Sequence, residues 1–382
     1  MVLLALLAAL LTTIGLALTL AGPALVRGFV ADRPPVDAPL PAISVLKPLY
    51  RDEALLEQAL GTICAQDYPC YQVVVGVQQP DDPALAVVDR VRRRYPACDI
   101  AVVVDNTSPG SNRKVANLEN MLAAAKHDVL VIADSDVHAA PDYLRRIAAA
   151  LAEPRTGLVT TVYSGLPASG SLTGALGASA ITHGFLPGAL MARALGRQDA
   201  LGATMALRRE TLAAVGGFAA LRDHLADDNV LGRRVRARGL AIGMAATVPA
   251  TTVPETRLAD LFRHELRWGR TIRTLAPIAF AASVLQYPLA WGLVAVGLSG
   301  GEEWAIALFG AAWIARAWAM AAIDHALGTR PVLRPWHMPL RDLMSIAVVA
   351  ASYMGSRVEW RGQNMRVGTP RLPAEPLGIE QA

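Results

Sequence analysis

The stretch Asp128-Val129-Leu130-Val131-Ile132-Ala133-Asp134-Ser135-Asp136-Val137 decides how the chain is read. Five apolar residues in a row, three of them β-branched, predict a short strand buried on both faces. Residues i and i+2 of an extended chain point the same way, so Asp134 and Asp136 can converge on one point. Two carboxylates that close repel unless a cation lies between them. A hard divalent cation such as Mg²⁺ takes one or two protein carboxylates and completes its shell from substrate phosphates. The pair also falls where open α/β sheets bind ligands, beyond the carboxyl end of a strand. The competing reading is a solvated strand-to-loop turn, since Asp and Ser are ordinary turn residues.

Upstream of that stretch, apolar runs at 43–46, 71–77 and 100–104 predict strands, and helical spacing covers 53–66, 84–95 and the end of 110–126. Strands alternating with helices predict βαβ units and a mostly parallel sheet. No G-x-G-x-x-G follows any strand, which argues against a dinucleotide-binding dehydrogenase. Downstream, 158–162 predicts another strand and 202–209 a tight turn and a strand. A helix opens at Leu225-Ala226-Asp227-Asp228-Asn229, and 257–273 is basic and amphipathic. The loose Gly-, Ala- and Leu-rich segment 165–196 is read as a surface helix lying on lipid.

The 382 residues are 53% hydrophobic and 18% charged, too apolar for an ordinary soluble enzyme, so part of the chain belongs in a bilayer. Residues 2–26 carry no charged side chain and are long enough to span it. A signal peptide would have a basic start and a shorter apolar core. Residues 275–298 and 304–323 also have spanning length, whereas 343–354 is short and reads as re-entrant or interfacial. Arg27 and Arg33 follow the first span, acidic Glu302 and Glu303 separate the next two, and Arg330, Arg334 and Arg341 come after. This bias puts the intervening domain in the cytoplasm. The organisation is an anchor (1–28), a linker (29–42), a cytoplasmic domain (43–273), a membrane region of two spans plus the short segment (274–356), and a tail (357–382). The net charge of +4 faces anionic lipid and phosphate, and no basic, aromatic-interleaved stretch suggests nucleic acid. Cys64, Cys70 and Cys98 have no metal-binding spacing and read as reduced cytosolic thiols.

The phrases LKPL, DYPCYQVVVGVQ, NRKVANL, DVLVIADSD, GATMALRRET, LADDNVLGRRVR and HELRWGRTIR then follow one another between Ser44 and Arg273. In this order the chain resembles the ceramide glucosyltransferase family (glycosyltransferase family 21), and most closely its bacterial, hopanoid biosynthesis-associated branch. The resemblance implies an α/β domain of GT-A type, a Rossmann-like mixed sheet, with N- and C-terminal transmembrane helices. It implies an inverting transfer from a UDP-sugar to a lipid hydroxyl, aided by Mg²⁺ or Mn²⁺, at a bacterial inner membrane. N-acetylglucosamine to a bacteriohopanepolyol is the first reading, and glucose to ceramide or diacylglycerol the second.

Site roles carry over motif by motif. Asp228 matches the family's base, with Asp227 beside it; otherwise the pair starts a helix. Asp134 and Asp136 of the D-x-D motif would hold the metal. Lys114 and either Asp81 or Asp82 would contact the donor, as would Asp134. The choice between Asp81 and Asp82 stays open because Gln79 stands where the ceramide enzymes have Asp. Gly202 and Thr204 come from the G-A-T phrase. Arg267 would grip phosphate and Trp268 would wall the acceptor, and His264 heads this last motif where Gln or Arg is usual. A transporter or scaffold is the reading from another class, and it predicts ionisable groups inside the spans, for which Arg316 is a lone candidate. A polysaccharide synthase with its own channel would need more spans than three.

Overall fold

The computed structural model describes residues 1–32, 38–355, 357–360 and 363–366, so Arg33, part of the linker and most of the tail lie outside the described residues. Helix α1 (Val2–Ala31) opens the chain. Then strands and helices alternate: β1 (Ile43–Pro48), α2 (Leu56–Cys64), β2 (Tyr71–Val77), α3 (Ala84–Arg94), β3 (Asp99–Val104), α4 (Arg113–Met121) and β4 (Val129–Ala133). β1 and β4 are buried along their whole length, as strands covered on both faces require. The apolar residues of α2 and α3 pack on one face of the sheet, with Leu144 and Ile147 of α5 (Tyr143–Ala152). Those of α4 pack on the other face, with Val230 and Val235 of α9 (Asp227–Ala237).

After β4 the chain leaves the parallel pattern. It forms β5 (Val137–His138), α5, β6 (Thr156–Thr160), β7 (Ser164–Pro167), α6 (Leu172–Ala180) and α7 (Leu186–Ala194). Next come β8 (Thr204–Arg208), α8 (Arg209–Ala214), α9, β9 (Ala241–Met244), β10 (Ala250–Val253) and α10 (Leu258–Leu275). The main sheet has the order β3-β2-β1-β4-β8-β6-β9. β3, β2, β1 and β4 are mutually parallel, and β8 runs antiparallel to both β4 and β6. This is the mixed sheet expected. The reversal matters for the site, because antiparallel pairing sets Thr204 at the start of β8 opposite Ala133 at the end of β4. A small second sheet, β5-β10-β7, continues from the aspartate stretch.

The apolar segments are less simple than their hydropathy. Among the described residues three helical stretches are long and apolar enough to cross a bilayer: Val2–Ala31, Leu172–Ala194 and α13 (Glu303–Leu327). The second lies in the segment read as a loose surface helix. It is a helix with one π-turn, Ile181–Phe185, and much of it is buried against other elements. The unbroken span expected at 275–298 is instead two helical pieces, Pro277–Gln286 and Pro288–Ser299, meeting at 66°. α11 (Pro277–Ala282) and α12 (Pro288–Ser299) each begin on proline, which lacks the N–H a continuing helix needs. α14 (Met338–Ser352) starts five residues ahead of the short segment read there, and so takes in Arg341 and Asp342, both buried. Arg316 is not the lone ionisable group in the spans: His183 and Asp324 join it, all three buried.

Candidate active site

Asp134, Asp136, Asp227 and Asp228 gather where β4 ends. Asp134 follows β4 directly, and its N–H donates to Ala203 O at 3.1 Å, so the β4–β8 pairing brings the Gly202-Ala203-Thr204 turn beside it. A Cβ placed on Gly202 would lie 3.0 Å from Asp228 Oδ2, tight enough that the carboxylate would have to shift. Thr204 is fully buried below this turn and shares a hydrogen bond with Tyr143 Oη at 2.8 Å, so it supports the floor.

Helix α4 delivers the cation. Asn112 caps it, accepting from the N–H groups of Lys114 (3.0 Å) and Val115 (3.2 Å). Lys114 Nζ then reaches Asp134 Oδ1 at 2.5 Å and Asp227 Oδ2 at 4.0 Å. Burial alone would lower this lysine's pKa, but Asp134 and Asp227 outweigh it and hold the ammonium above its ordinary value. Lys114, Asp134, Asp227, Asp228 and Gly202 thus form one cluster.

The carboxylates exceed the cations there. Burial, and then the neighbouring Asp227, push Asp228 up to about 7, although the Asn229 N–H donates to its Oδ1 at 2.7 Å. A carboxylate titrating near neutrality is matched to accepting a proton at physiological pH. Asp227 is raised as well, by burial. Asp136 is raised first by burial and then by Asp134, while Thr251 at β10 donates a hydrogen bond to it. Among the described residues no group of three or more His, Cys, Asp or Glu gathers as a metal cage. The donor set still fits a divalent cation that takes two protein carboxylates and fills its other positions from phosphate and water. Burial first, and the Asp134 charge second, oppose ionisation of Asp136, a cost that a cation between the two carboxylates would relieve.

Asp82 lies apart from this cluster. Its two oxygens accept from the Arg51 N–H at 2.9 and 3.1 Å, and Oδ1 also accepts from the Ala84 N–H at 2.9 Å. It therefore closes the loops after β1 and β2, while Asp81 is exposed. The last motif forms a group of its own on α10. His264 Nδ1 is 2.5 Å from Glu255 Oε1, and its ring stands edge-on to Trp268 with centroids 4.5 Å apart. Burial opposes ionisation of Glu255, yet His264, with Arg267 further off, keeps its pKa below the ordinary value. Trp268 packs with Tyr163 and Phe185 against Ala178, Ile181 and Val253.

Four residues escaped the sequence reading. Lys47, fully buried at the end of β1, donates to Asp134 O at 2.6 Å and Val137 O at 3.4 Å, so it grips the aspartate turn from beneath. Burial pushes its pKa down to about 8, against the pull of Asp136 and Asp134. A lone lysine inside an apolar strand was the available signal. Glu53 accepts a hydrogen bond from Ser135 Oγ, fixing the turn's middle residue. Tyr163 links the two groups: its ring lies 4.6 Å from that of Phe185, and burial, then Asp228, Asp134 and Asp136, raise its hydroxyl's pKa. Glu255, the partner of His264, is set by a loop whose course sequence does not reveal.

The family model described as glycosyl transferase family 21 matches residues 1–372. A ceramide glucosyltransferase of Komagataella phaffii is 31% identical over 121 residues, 31% of this chain and 24% of the relative. A beta-monoglucosyldiacylglycerol synthase of Synechocystis is 26% identical over 121 residues, 31% of this chain and 25% of the relative. The matched stretch therefore spans about a quarter of the length of either relative. Among solved structures, a mannosyltransferase from Pyrobaculum calidifontis in complex with GDP-Man and Mn²⁺ is 22% identical, with a TM-score of 0.49, covering 89% of this chain and 99% of that one.

Proposed function

The chain belongs to glycosyl transferase family 21, and on that premise we propose that it is a membrane-bound inverting glycosyltransferase moving a sugar from a UDP-sugar to a lipid hydroxyl. The observation that carries this reading is the cluster of Asp228 with Lys114, Asp134, Asp227 and Gly202 at the end of β4, where burial pushes Asp228 up to about 7. In inversion the acceptor oxygen bonds to the anomeric carbon as the bond to the diphosphate breaks on the opposite face. Asp228 takes the hydroxyl proton at a carboxylate oxygen, and the electron pair of the broken bond leaves with UDP. Asp134 and Asp136 would hold Mg²⁺ or Mn²⁺, whose chemistry here is to neutralise charge on the leaving diphosphate. Lys114 adds a fixed positive charge on the same side. Asp81 is the better placed for the nucleotide, since backbone N–H groups occupy Asp82. Arg267 and Trp268 serve phosphate and acceptor.

The domain faces the cytoplasm on this reading, with Arg27 inside by the positive-inside rule. The acceptor is a membrane lipid. The names of the relatives favour glucose with ceramide or diacylglycerol, and the motif phrases favour N-acetylglucosamine with a bacteriohopanepolyol. The test is purified protein in lipid nanodiscs with Mn²⁺, labelled UDP-glucose or UDP-N-acetylglucosamine, and one of C6-ceramide, dioleoylglycerol or bacteriohopanetetrol. A labelled lipid of the expected mass supports the reading. UDP-sugar binding without transfer to any of them overturns the acceptor class, and no binding at all overturns the enzyme.

A further inference from the structure

Two adjacent side chains of α14 tie together α6, α10, α12 and α13. Arg341, 3% exposed, makes a bidentate pair with Glu265 of α10, both contacts at 2.7 Å. It also donates to Leu176 O of α6 at 3.3 Å and to Ser345 Oγ at 3.1 Å. Asp342, fully buried, accepts from Arg316 of α13 at 3.1 Å and from the Leu289 N–H, near the start of α12, at 3.2 Å. Arg316 in turn donates to His183 O at 3.0 Å, inside the π-turn.

Each contact answers a backbone need. In an α-helix the carbonyl of His183 would receive the N–H of residue 187, but Pro187 has none. A carbonyl left without a donor in an apolar bundle is destabilising, and Arg316 supplies the donor. Leu289 sits in the first turn of α12, where N–H groups have no helical partner, and Asp342 accepts this one. The His183 ring is fixed on its other side, with Nε2 3.0 Å from Asp324 Oδ1 and Nδ1 3.0 Å from Ser179 Oγ.

Both arms of this network end at the aromatic wall. Trp268 lies three residues beyond Glu265, on the same side of α10. Phe185 lies two residues beyond His183 and stacks on Tyr163, which directly precedes β7; β7 pairs with β10, whose Thr251 donates to Asp136. We infer that Arg341 and Asp342 are positioning residues, which set Trp268 and Phe185 where the lipid acceptor meets the carboxylates. The inference rests on the lipid-acceptor reading above. The contacts of Arg341 and Asp342 run to Glu265, Leu176, Ser345, Arg316 and Leu289 and reach neither Lys114 nor Asp134, so loss of the network should fall more heavily on acceptor affinity than on donor handling.

The test uses the full chain in nanodiscs and measures UDP release with and without C6-ceramide, dioleoylglycerol or bacteriohopanetetrol, normalised to bound Mn²⁺–UDP. Glu265→Gln should raise the acceptor KM by about tenfold, within the range of coupling through packed networks. Acceptor-free UDP release and donor KM should stay within about twofold. Glu265→Gln also strands a buried guanidinium and lowers stability, so a second variant is needed. Glu265→Leu/Arg341→Leu removes both charges and should regain most of the thermal midpoint. Its acceptor KM should stay high, because the geometry is still lost. An acceptor KM that recovers with the midpoint makes the pair merely structural and overturns the inference, as does an unchanged KM in Glu265→Gln. No stimulation of the wild type by any of the three lipids overturns the lipid-acceptor reading and this inference with it.

Discussion

The carboxylate end of the sheet and the helix bundle both keep charges out of water, and they do so in opposite ways. In the bundle, Arg341 is matched to Glu265 and Arg316 to Asp342. At the sheet, four aspartates face Lys114 and the underside of Lys47, and Asp227, Asp228 and Asp136 are all pushed up. Closed pairs hold helices in place and, for Arg341 and Glu265, set what those helices present. An uncompensated excess of one sign is tolerated where a ligand of opposite sign will arrive, and it marks the site more sharply than any single motif.

The strongest blow to this contrast is Asp228→Asn, which keeps size but cannot accept a proton. It should cost roughly 10²–10⁴-fold in transfer rate with Mn²⁺–UDP affinity changed by less than about twofold. Asp227→Asn is the control: if it is the dead variant and Asp228→Asn is active, the base is the neighbouring residue. If both stay active, His264 with Glu255 becomes the place to look.

Chelation with EDTA should abolish wild-type transfer, with Mn²⁺ or Mg²⁺ restoring it. Asp136→Ala should lose Mn²⁺ binding measured directly by calorimetry in the presence of UDP. Full activity in excess chelator would leave Asp134 and Asp136 as a turn and nothing more.

In the bundle, Arg316→Met should lower stability by about 3–5 kcal/mol, because Asp342 is left charged and unpaired. Arg316→Met/Asp342→Leu should recover part of that loss. If the single variant is as stable as the wild type, the closed pairs are not architectural.

A smaller effect separates the regions by pH. Asp228 accepts a proton only when ionised, so transfer should rise with pH through about 7 and level off above it. Between pH 8 and pH 6 the loss should be about tenfold. The sign for stability is the reverse. A carboxyl whose folded pKa is raised costs folding free energy once ionised, so the cost is absent below the unfolded value of about 3.9 and complete above 7. Asp228→Asn should therefore melt higher than the wild type at pH 8, with an advantage that shrinks as pH falls. An advantage independent of pH would mean that Asp228 is not raised.

The weakest change is Lys126→Ala. It breaks an exposed pair with Asp99 at 2.7 Å, and exposed pairs are worth about 0–1 kcal/mol. Neither transfer rate nor melting should shift appreciably, which would confirm that burial, and not pairing itself, separates the two regions from the surface.

Sequence determined the alternating α/β region, because apolar strands and amphipathic helices leave a local period that needs no partner to be read. It determined the D-x-D placement, since strand end and spacing are both local. The family phrases also brought Asp228, Lys114 and Trp268 to notice. Tertiary structure alone decided how these meet. Antiparallel pairing of β8 with β4 carries Gly202 to Asp134 across sixty-eight positions of chain, and no local pattern records a strand's partner. Lys47, Glu53 and Tyr163 act through contacts with distant residues, and a single residue type in a strand or loop does not announce them. The bundle was the hardest to foresee. Hydropathy counts apolar length, but one expected span breaks into two pieces ahead of Pro288, and buried Arg–acid pairs hold segments whose composition shows only that they avoid water.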